Sequence, residues 1–383
     1  MIRQWILPLC LFVLHIPFSA AKSCTIRVPE DIPHDGEPIY LNPDESGFRI
    51  TGKVTKIESL SVFCPGRTIE SVPCQRDGHS LLVAQKKCKG RILSELLDTR
   101  EKCGKSGTLI EIGFQLPSKH FYSIYSSCFD RKSLSPLYTH HVLNGKGVKY
   151  RVKQPRKTFR EGKGVYIGVN MDELYKGQLE RFRKLFGAKQ QFVLSSKTSQ
   201  LFLSRGHLSP EADFTFGTEQ HASEMYVNTA PQFQSFNAGN WLRVESRVRA
   251  LANALQDDLH VFTGVLDVLQ LANRKVFLGN GVVPVPALFW KAVFHVKTSA
   301  AIVFVGANNP HAENGAPSVC KDVCAEAGFA ENSFSNSTLG ITICCALKNF
   351  VKQSKVVLPR DIEGRKMQHF TKLLTSAEGR NGN

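Results

Sequence analysis

Residues 204–207 read Ser-Arg-Gly-His and place a permanent cation two positions from a titratable base. The apolar residues just before this run predict a β-strand that continues into it. In a strand, residues two positions apart share a face, so the side chains of Arg205 and His207 should project together. Gly206 between them permits close approach of a neighbouring backbone or a ligand. His207 could therefore act as a general base beside a cation, although an isolated histidine more often has a structural role.

A second polar segment contains Asn228, Asn237 and Glu245. Apolar residues at helical spacing follow Trp241 and predict a loop that leads into a helix. At about 100° per residue, Asn237 and Glu245 would lie roughly 80° apart, so both could face one metal-centred cavity. The alternative is that Asn237 caps the helix and Glu245 is a solvated side chain.

These residue types suit the hydrolysis of a phosphodiester. In-line attack needs a base that takes a proton from water and a cation that neutralises charge on the phosphoryl oxygens. His207 could be the base, and a hydrated divalent cation on Asn237 could be the Lewis acid. One protein oxygen with several waters favours Mg²⁺. Because the attack needs no 2′-hydroxyl, both DNA and RNA are expected substrates.

Three motifs occur in a characteristic order: Arg-Gly-His, then Asn-x-x-Pro-Gln, then Asn-x-Gly-x-Trp-x-x-x-Glu. This order resembles the DNA/RNA non-specific endonuclease family, the ββα-metal nucleases of the Serratia nuclease type. The Val-Pro-Val-Pro-Ala-Leu-Phe-Trp-Lys segment at 283–291 and the apolar run at 301–305 extend the resemblance, which covers roughly residues 137–374. Secreted arthropod members, salivary ones among them, look most similar.

The resemblance implies a role for each motif residue. His207 matches the general base, Asn237 the direct metal ligand, and Glu245 the carboxylate that holds metal-bound water. Arg205 matches the arginine near the scissile phosphate, and Asn228 a further active-site asparagine. The implied fold is α+β, with a central antiparallel sheet and the site on a β-hairpin crossed by a helix. The implied activity is sequence-non-specific cleavage of DNA and RNA with Mg²⁺ or Mn²⁺.

The familiar form of the family motif is Asp-Arg-Gly-His, and Ser204 stands at its acidic position here. A serine can hydrogen-bond, but it cannot counterbalance Arg205 or orient a hydrated metal ion by charge. Two functions are therefore expected as alternatives: a metal-dependent endonuclease, or a nucleic-acid-binding protein on a nuclease scaffold with weak or no turnover. A remoter alternative is binding to heparin or a membrane surface.

The formal charge of +16, from 49 Lys and Arg against 33 Asp and Glu, favours a polyanionic partner. The densest basic segment is 146–163, where Tyr150 and Phe159 are interleaved with the cations. This segment has two possible interpretations, a solvated linker or a surface that contacts phosphates. The residues predicted to contact nucleic acid are Lys149, Arg151, Lys153, Arg156, Lys157 and Arg160.

The amino terminus reads as a secretory signal peptide over residues 1–21, with Arg3, an apolar run and small residues at a cleavage site. The mature protein is therefore expected to be secreted and extracellular. No apolar run is long enough to span a membrane, so no membrane insertion is expected.

Ten cysteines remain after the signal, and an even number in an oxidising compartment predicts disulfides. A zinc site is the alternative, but the sequence lacks paired Cys-x-x-Cys knuckles. Two structural disulfides are expected to link the pair formed by Cys320 and Cys324 to the pair formed by Cys344 and Cys345. Asn336 begins an Asn-Ser-Thr glycosylation sequon.

The cysteine distribution and the resemblance together predict the domain organisation. Residues 22–137 are expected to form a small, β-rich, disulfide-stapled domain. Residues 138–375 are expected to form the endonuclease domain, and 376–383 a flexible tail.

Overall fold

The computed structural model describes residues 24–72, 86–90, 92–153, 155, 158–195, 197–312, 317–359 and 362. The expected signal peptide and tail lie outside them. The strands are β1 (Cys24–Arg27), β2 (Ile39–Leu41), β3 (Val54–Ile57), β4 (Leu60–Phe63), β5 (Glu70–Val72), β6 (Glu95–Cys103), β7 (Gly107–Gln115), β8 (Phe121–Asp130), β9 (Ser135–Leu143), β10 (Leu203–His207), β11 (Thr229–Phe233), β12 (Leu259–Val268), β13 (Gln270–Leu271), β14 (Arg274–Lys275), β15 (Phe277–Leu278), β16 (Val283–Pro284), β17 (Pro286–His295), β18 (Ala300–Ala307) and β19 (Thr342–Cys345).

The helices are mostly short and lie between the strands. They are α1 (Met171–Lys176), α2 (Gln178–Phe186), α3 (Gly217–Ser223), α4 (Gln234–Phe236), α5 (Leu242–Leu255) and α6 (Leu347–Ser354), with a π-helical turn at Asn237–Trp241 between α4 and α5. Single 3-10 turns occur at Lys197–Ser199, Glu211–Asp213, Tyr226–Asn228, Val296–Thr298 and Asn332–Ser335. Within the described residues, no helix is long and apolar enough to cross a membrane.

An eight-stranded antiparallel sheet forms the centre of the fold, in the order β19-β18-β17-β12-β9-β8-β7-β6. Strands β17 and β18 are buried along most of their length, which indicates that both faces of the sheet are covered here. The sheet confirms the predicted α+β class with a central antiparallel sheet.

The amino-terminal part is smaller than the cysteine distribution suggests. The short strands β1 to β5 form a two-stranded and a three-stranded sheet of their own. Strands β6 to β9, most of which fall within the expected cysteine-rich domain, are half of the central sheet. The expected boundary at residue 137 thus falls inside β9, whose pairing with β12 joins the two halves. The Cys103–Cys128 bridge links strands β6 and β8 of this sheet.

The two faces of the central sheet are covered by different helices. Helix α5 packs its apolar stripe, including Val244 and Val248, on one face with Val293 and Phe304. Helix α6 packs on the opposite face, where Phe350 meets Trp290 at 5.5 Å between ring centroids. The side of the sheet that carries α5 is also the side that carries the hairpin of β10 and β11.

Strands β10 and β11 form a separate antiparallel hairpin, in which Ser204 lies opposite Gln232. The glycine in the Arg-Gly-His run is sterically required, because a Cβ at Gly206 would lie 2.2 Å from Oε1 of Gln232. The hairpin can therefore pair closely at the point where it presents Arg205 and His207.

Disulfides tie the loops to the sheet. The structure contains Cys64–Cys88 and Cys103–Cys128 in the first half of the chain. In the second half it contains Cys320–Cys345 and Cys324–Cys344, so each carboxy-terminal bridge joins one cysteine of each pair. Asn336 is exposed just after a 3-10 turn, where a glycosylating enzyme could reach it.

Candidate active site

The two polar segments identified in the sequence line one cleft of about 780 Å³. Strand β10 contributes Arg205 and His207, the π-helical turn contributes Asn237, and the first turn of α5 contributes Glu245. Of the five residues expected at a catalytic centre, four therefore line the same cavity. Asn228 does not line it.

The imidazole of His207 lies in the wall of the cleft, with 17% of its side chain exposed. Its Nε2 atom is buried and has no hydrogen-bond partner within the described residues. A carboxylate oxygen of Glu224 lies 3.7 Å from Nε2, and the ring of Phe159 packs at 5.1 Å between centroids. The ring edge that carries Nδ1 is therefore the edge available to the cleft.

The guanidinium of Arg205 is held by residues from two other segments. Its Nε donates to the hydroxyl of Tyr226 at 2.6 Å, and a terminal nitrogen pairs with the carboxylate of Asp172 at the start of α1. Its charge also lies 4.8 Å from the centroid of the Tyr175 ring. The hydroxyl of Tyr226 and the charge of Arg205 hold the pKa of Asp172 below its usual range. Asp172 thus supplies the negative charge that Ser204 lacks.

Replacement of Asp172 by asparagine should lower the catalytic efficiency of the protein on nucleic acid. A hydrogen bond to a charged group is worth about 1.5–3 kcal/mol, and the 47% exposure of Asp172 favours the lower end, which corresponds to a loss of about tenfold in kcat/KM. The matched control is Glu180→Gln on the next helix, α2, because Glu180 is exposed and does not line the cleft. If the two variants are equally active, Asp172 does not contribute to catalysis.

The amide of Asn237 is oriented by the hairpin and by its own helix. Its Nδ2 donates to Oγ of Ser204 at 3.3 Å and to Oε1 of Gln234 at 3.4 Å. No described residue donates to Oδ1 of Asn237, which leaves this oxygen for a ligand. Ser204 in turn donates to the carbonyl of Gln232 at 3.0 Å. The serine at the acidic motif position therefore orients the amide that the resemblance assigns to the metal.

The backbone around Asn237 differs from the predicted loop. Residues of α4, the π-helical turn and α5 follow one another without a loop, and Gly239 breaks the regular helix with φ −92° and ψ −119°. A Cβ at Gly239 would lie 2.9 Å from the carbonyl oxygen of Leu339. Asn237 donates to Ser204 and Gln234, and the N-cap position of α5 is Trp241, so the alternative of a helix N-cap does not describe Asn237.

Glu245 is a half-buried carboxylate in the cleft with no hydrogen bond to a described residue. Burial raises its pKa, while the positive charges of Lys291 and Arg249 oppose that rise. Lys291 is 1% exposed, and its ammonium donates to the hydroxyl of Thr263 and to the carbonyl of Leu208. Burial also lowers the pKa of Lys291. The cleft therefore contains a carboxylate that accepts no hydrogen bond from a described residue, and the buried ammonium group of Lys291 acts on it through its charge.

Asn228 does not line the cleft, unlike the other four residues expected at the catalytic centre. It is fully buried, its Oδ1 accepts from the backbone nitrogen of Ser209, and its Nδ2 donates to the carbonyls of Ser209 and Ser223. Every polar group of the amide is thus bonded to backbone. These hydrogen bonds fix the backbone just after His207, at Ser209.

The fold places the cations of the basic segment 146–163 in different environments. Arg151 lines the cleft, and Lys149 joins it in an adjoining groove of about 240 Å³. Lys153 is exposed. Arg160 turns inward, where its guanidinium donates to the carbonyl and hydroxyl of Ser94, so the structure does not present it to phosphates. Arg156 and Lys157 lie outside the described residues.

A buried network below the cleft was not anticipated from the sequence. Arg249 donates to Asp213 at 2.9 Å, and the ring of His141 lies 2.9 Å from the other carboxylate oxygen. Although burial opposes ionisation, His141 and Arg249 hold the pKa of Asp213 below its usual range. Of the missed residues, only Lys291 had a signal in the sequence, as the last residue of the segment at 283–291.

The cysteines offer no alternative metal centre in the described part of the chain. The one cluster of three potential ligands there is Asp322 with Cys324 and Cys344, and these two cysteines are bonded to each other. A thiolate site for zinc therefore has no ligands at this position.

Comparison with known proteins matches residues 105–350 to a family described as DNA/RNA non-specific endonuclease. The salivary endonuclease of Lutzomyia longipalpis is 47% identical over 378 residues, which cover 94% of this chain and 90% of that protein. The salivary protein Tsal2A of Glossina morsitans morsitans is 26% identical, over 88% of this chain and 92% of that protein. A solved EndoG/EndoGI complex is similar with a TM-score of 0.36 and 17% identity, over 62% of this chain and 84% of that chain.

The family match spans most of the sequence, and the Lutzomyia relative matches almost from end to end. The matched region includes both strands of the hairpin, the π-helical turn and helix α5. The match confirms the predicted family, and this protein belongs to the DNA/RNA non-specific endonucleases, a family of metal-dependent nucleases.

Proposed function

We propose that this protein is a secreted, Mg²⁺-dependent endonuclease that hydrolyses phosphodiester bonds in both DNA and RNA. One observation carries the proposal: three complementary groups line the same cleft. They are the accessible ring edge of His207, the unbonded amide oxygen of Asn237 and the unpaired carboxylate of Glu245.

The donors in the cleft suit a hard, hydrated cation. Asn237 offers a neutral amide oxygen, and Glu245 offers a carboxylate whose charge lacks a hydrogen-bonding partner. Mg²⁺ prefers oxygen ligands and keeps several of its waters, and Mn²⁺ accepts the same donors. A divalent cation bound there would act as a Lewis acid toward a phosphoryl oxygen.

The protein's own groups supply the remaining chemistry. His207 takes the proton from the attacking water, whose oxygen forms a bond to phosphorus while the bond to the leaving oxygen breaks. The positive charges of Lys291 and Arg249 favour the ionised form of Glu245, which can then hold water by hydrogen bonds. Arg205, fixed by Asp172 and Tyr226, adds a cation beside the reacting phosphate.

The lining of the cleft supports low substrate specificity. Arg151, Lys176 and Arg249 provide cations that can contact phosphates of any sequence. Phe159 and Phe202 add aromatic faces on which any base can stack. None of these contacts requires a 2′-hydroxyl, which is the group that distinguishes RNA from DNA.

Secretion is supported by two independent observations. Disulfides occur in both halves of the described chain, and such bonds persist mainly in oxidising compartments. The names of both relatives above describe them as salivary.

The proposal is tested by incubating the purified mature protein with plasmid DNA and with RNA, in Mg²⁺ and in EDTA. We expect both substrates to be cleaved internally in Mg²⁺ and left intact in EDTA. Cleavage that persists in EDTA would reject the metal dependence, and cleavage of one substrate alone would reject the lack of sugar specificity.

Ser204 motivates a second candidate function, high-affinity binding of nucleic acid without turnover. Tight binding of both substrates with no cleavage in Mg²⁺ or Mn²⁺ would identify it. The contact between Asp172 and Arg205 argues for turnover, because it restores a carboxylate beside the motif arginine.

Removal of the cations beside the cleft should weaken binding and reduce its dependence on salt. Each phosphate contact contributes about 0.9 to the slope of log K against log salt on duplex DNA. Replacement of Lys149, Arg151 and Lys153 by alanine should therefore lower that slope by up to about 3. A binding titration at several salt concentrations measures it.

The matched control for this triple variant removes three exposed lysines near α6, on the other face of the sheet. They are Lys348, Lys352 and Lys355. Equal slopes for the two triple variants would mean that total charge, and not the surface beside the cleft, determines binding.

A further inference from the structure

Glu224 is a buried carboxylate that the motifs of the family do not include. It follows helix α3 directly, is 2% exposed, and neither of its carboxylate oxygens has a hydrogen-bond partner among the described residues. A charge that is buried without a partner costs several kcal/mol, so its retention calls for a reason. The ion pair that the structure gives this carboxylate is with His207, at 3.7 Å from Nε2.

His207 likewise has a buried polar atom without a hydrogen-bond partner. Its Nε2 is buried and has no acceptor within hydrogen-bonding distance among the described residues. The separation of 3.7 Å is longer than a hydrogen bond, but contacts of catalytic histidines are often long without substrate and tighten when it binds. The two unsatisfied groups therefore face each other on the interior side of the ring.

We propose that Glu224 is a positioning residue that keeps the Nε2 proton of His207 on the buried side and leaves Nδ1 as the base that faces the cleft. This inference rests on the proposed nuclease function. A neutral imidazole carries one proton, and an acceptor on one side determines which nitrogen holds it. With the proton on Nε2, the lone pair of Nδ1 is available to the attacking water.

The same carboxylate stabilises the ring after the chemical step. When Nδ1 accepts the proton from water, His207 becomes an imidazolium, and the negative charge of Glu224 lies beside it. The proton then leaves Nδ1 for solvent or for the leaving oxygen, and the neutral ring is restored. Buried aspartates that orient a catalytic histidine in serine hydrolases act by this combination of tautomer selection and charge stabilisation.

The charges around the ring favour this role for Glu224. Glu245 and Arg205 also lie near His207, but both line the cleft on the side where substrate enters. Glu224 alone among these three lies within ion-pairing distance of Nε2. Only an acceptor on the buried side can hold the Nε2 proton without competing with substrate for the cleft.

The direct test is the ¹⁵N spectrum of the histidine rings at about pH 8, where histidine is ordinarily neutral. The His207 signals are assigned by their absence from the His207→Ala spectrum. We expect His207 of the wild-type protein to carry its proton on Nε2. A proton on Nδ1 would overturn the proposal, and this measurement needs neither metal nor activity.

The second test compares Glu224→Gln with wild-type protein. The amide removes the charge and can donate as well as accept, so we expect a mixture of His207 tautomers. We expect kcat to fall by roughly 10–100-fold, the range found when the outer carboxylate partner of a metal-binding histidine is lost, while KM changes less than about twofold. Glu224→Asp keeps the charge and should recover part of kcat.

The matched control is Glu219→Gln, because Glu219 is a half-buried glutamate on α3. Glu219 accepts from the backbone nitrogen of Phe216 and from the hydroxyl of Tyr122 at 3.1 Å, away from the cleft. It should keep wild-type kcat and the wild-type tautomer of His207. If Glu224→Gln behaves like this control, the proposal fails. If the wild-type protein does not cleave, the nuclease function fails, and the tautomer still decides the role of Glu224.

Discussion

Replacement of His207 by alanine should abolish cleavage of DNA and RNA while leaving their binding almost unchanged. The variant has no group in the cleft wall that can take the proton from water at this position. General-base assistance contributes about 10²–10⁴ in rate, so kcat should fall by at least that range. Binding depends on the cations around the cleft, which this substitution does not remove.

The measurement pairs a plasmid-nicking assay in Mg²⁺ with a binding titration in EDTA. His120→Ala is the control, because His120 is an exposed histidine near Glu45 and remote from the cleft. Wild-type turnover in His207→Ala would remove the histidine from the mechanism. Loss of binding together with cleavage would indicate a structural role instead.

Local sequence pattern predicts the strand that carries the base. The alternation of the run at 201–207 is a property of the extended backbone, so the shared face of Arg205 and His207 follows from their spacing alone. The assignment of Gly206 to close approach has a physical basis, since the partner strand packs a glutamine side chain against it.

The helix that follows was predicted less well, because its shape depends on distant residues. The break at Gly239 is held by the backbone nitrogen of Asn240, which donates to the carbonyl of Leu339 at 3.0 Å. The side chain of Asn240 donates to the carbonyls of Ser333 and Gly340. No periodicity within residues 228–255 could reveal contacts that lie about a hundred residues away in the chain.

The partners of the motif residues also could not be predicted from the local sequence pattern. Asp172 reaches Arg205 from α1, Glu224 reaches His207 from the end of α3, and Lys291 approaches Glu245 from β17. Their positions follow from the packing of elements that are far apart in sequence. A charge count along the chain fails for the same reason at Arg160, whose guanidinium turns inward and donates to Ser94.

Replacement of Asn237 by alanine should abolish metal-dependent cleavage while preserving the fold and the binding of nucleic acid. The substitution removes the unbonded Oδ1, the neutral oxygen that the structure leaves for a cation in the cleft. Lewis-acid stabilisation is worth several kcal/mol, so its loss corresponds to a fall of roughly 10²–10³-fold in kcat/KM. Asn237→Asp keeps an oxygen ligand and should retain more activity than alanine.

Calorimetric titration with Mg²⁺ and with Mn²⁺, without nucleic acid, separates metal binding from turnover. Asn349→Ala on α6 is the control, because this exposed asparagine lies on a helix that covers the opposite face of the sheet. We expect the control to bind metal like the wild-type protein and Asn237→Ala to lose that binding. If Asn237→Ala binds metal normally and cleaves at the wild-type rate, the cation must be held by other groups in the cleft, with Glu245 as the first alternative.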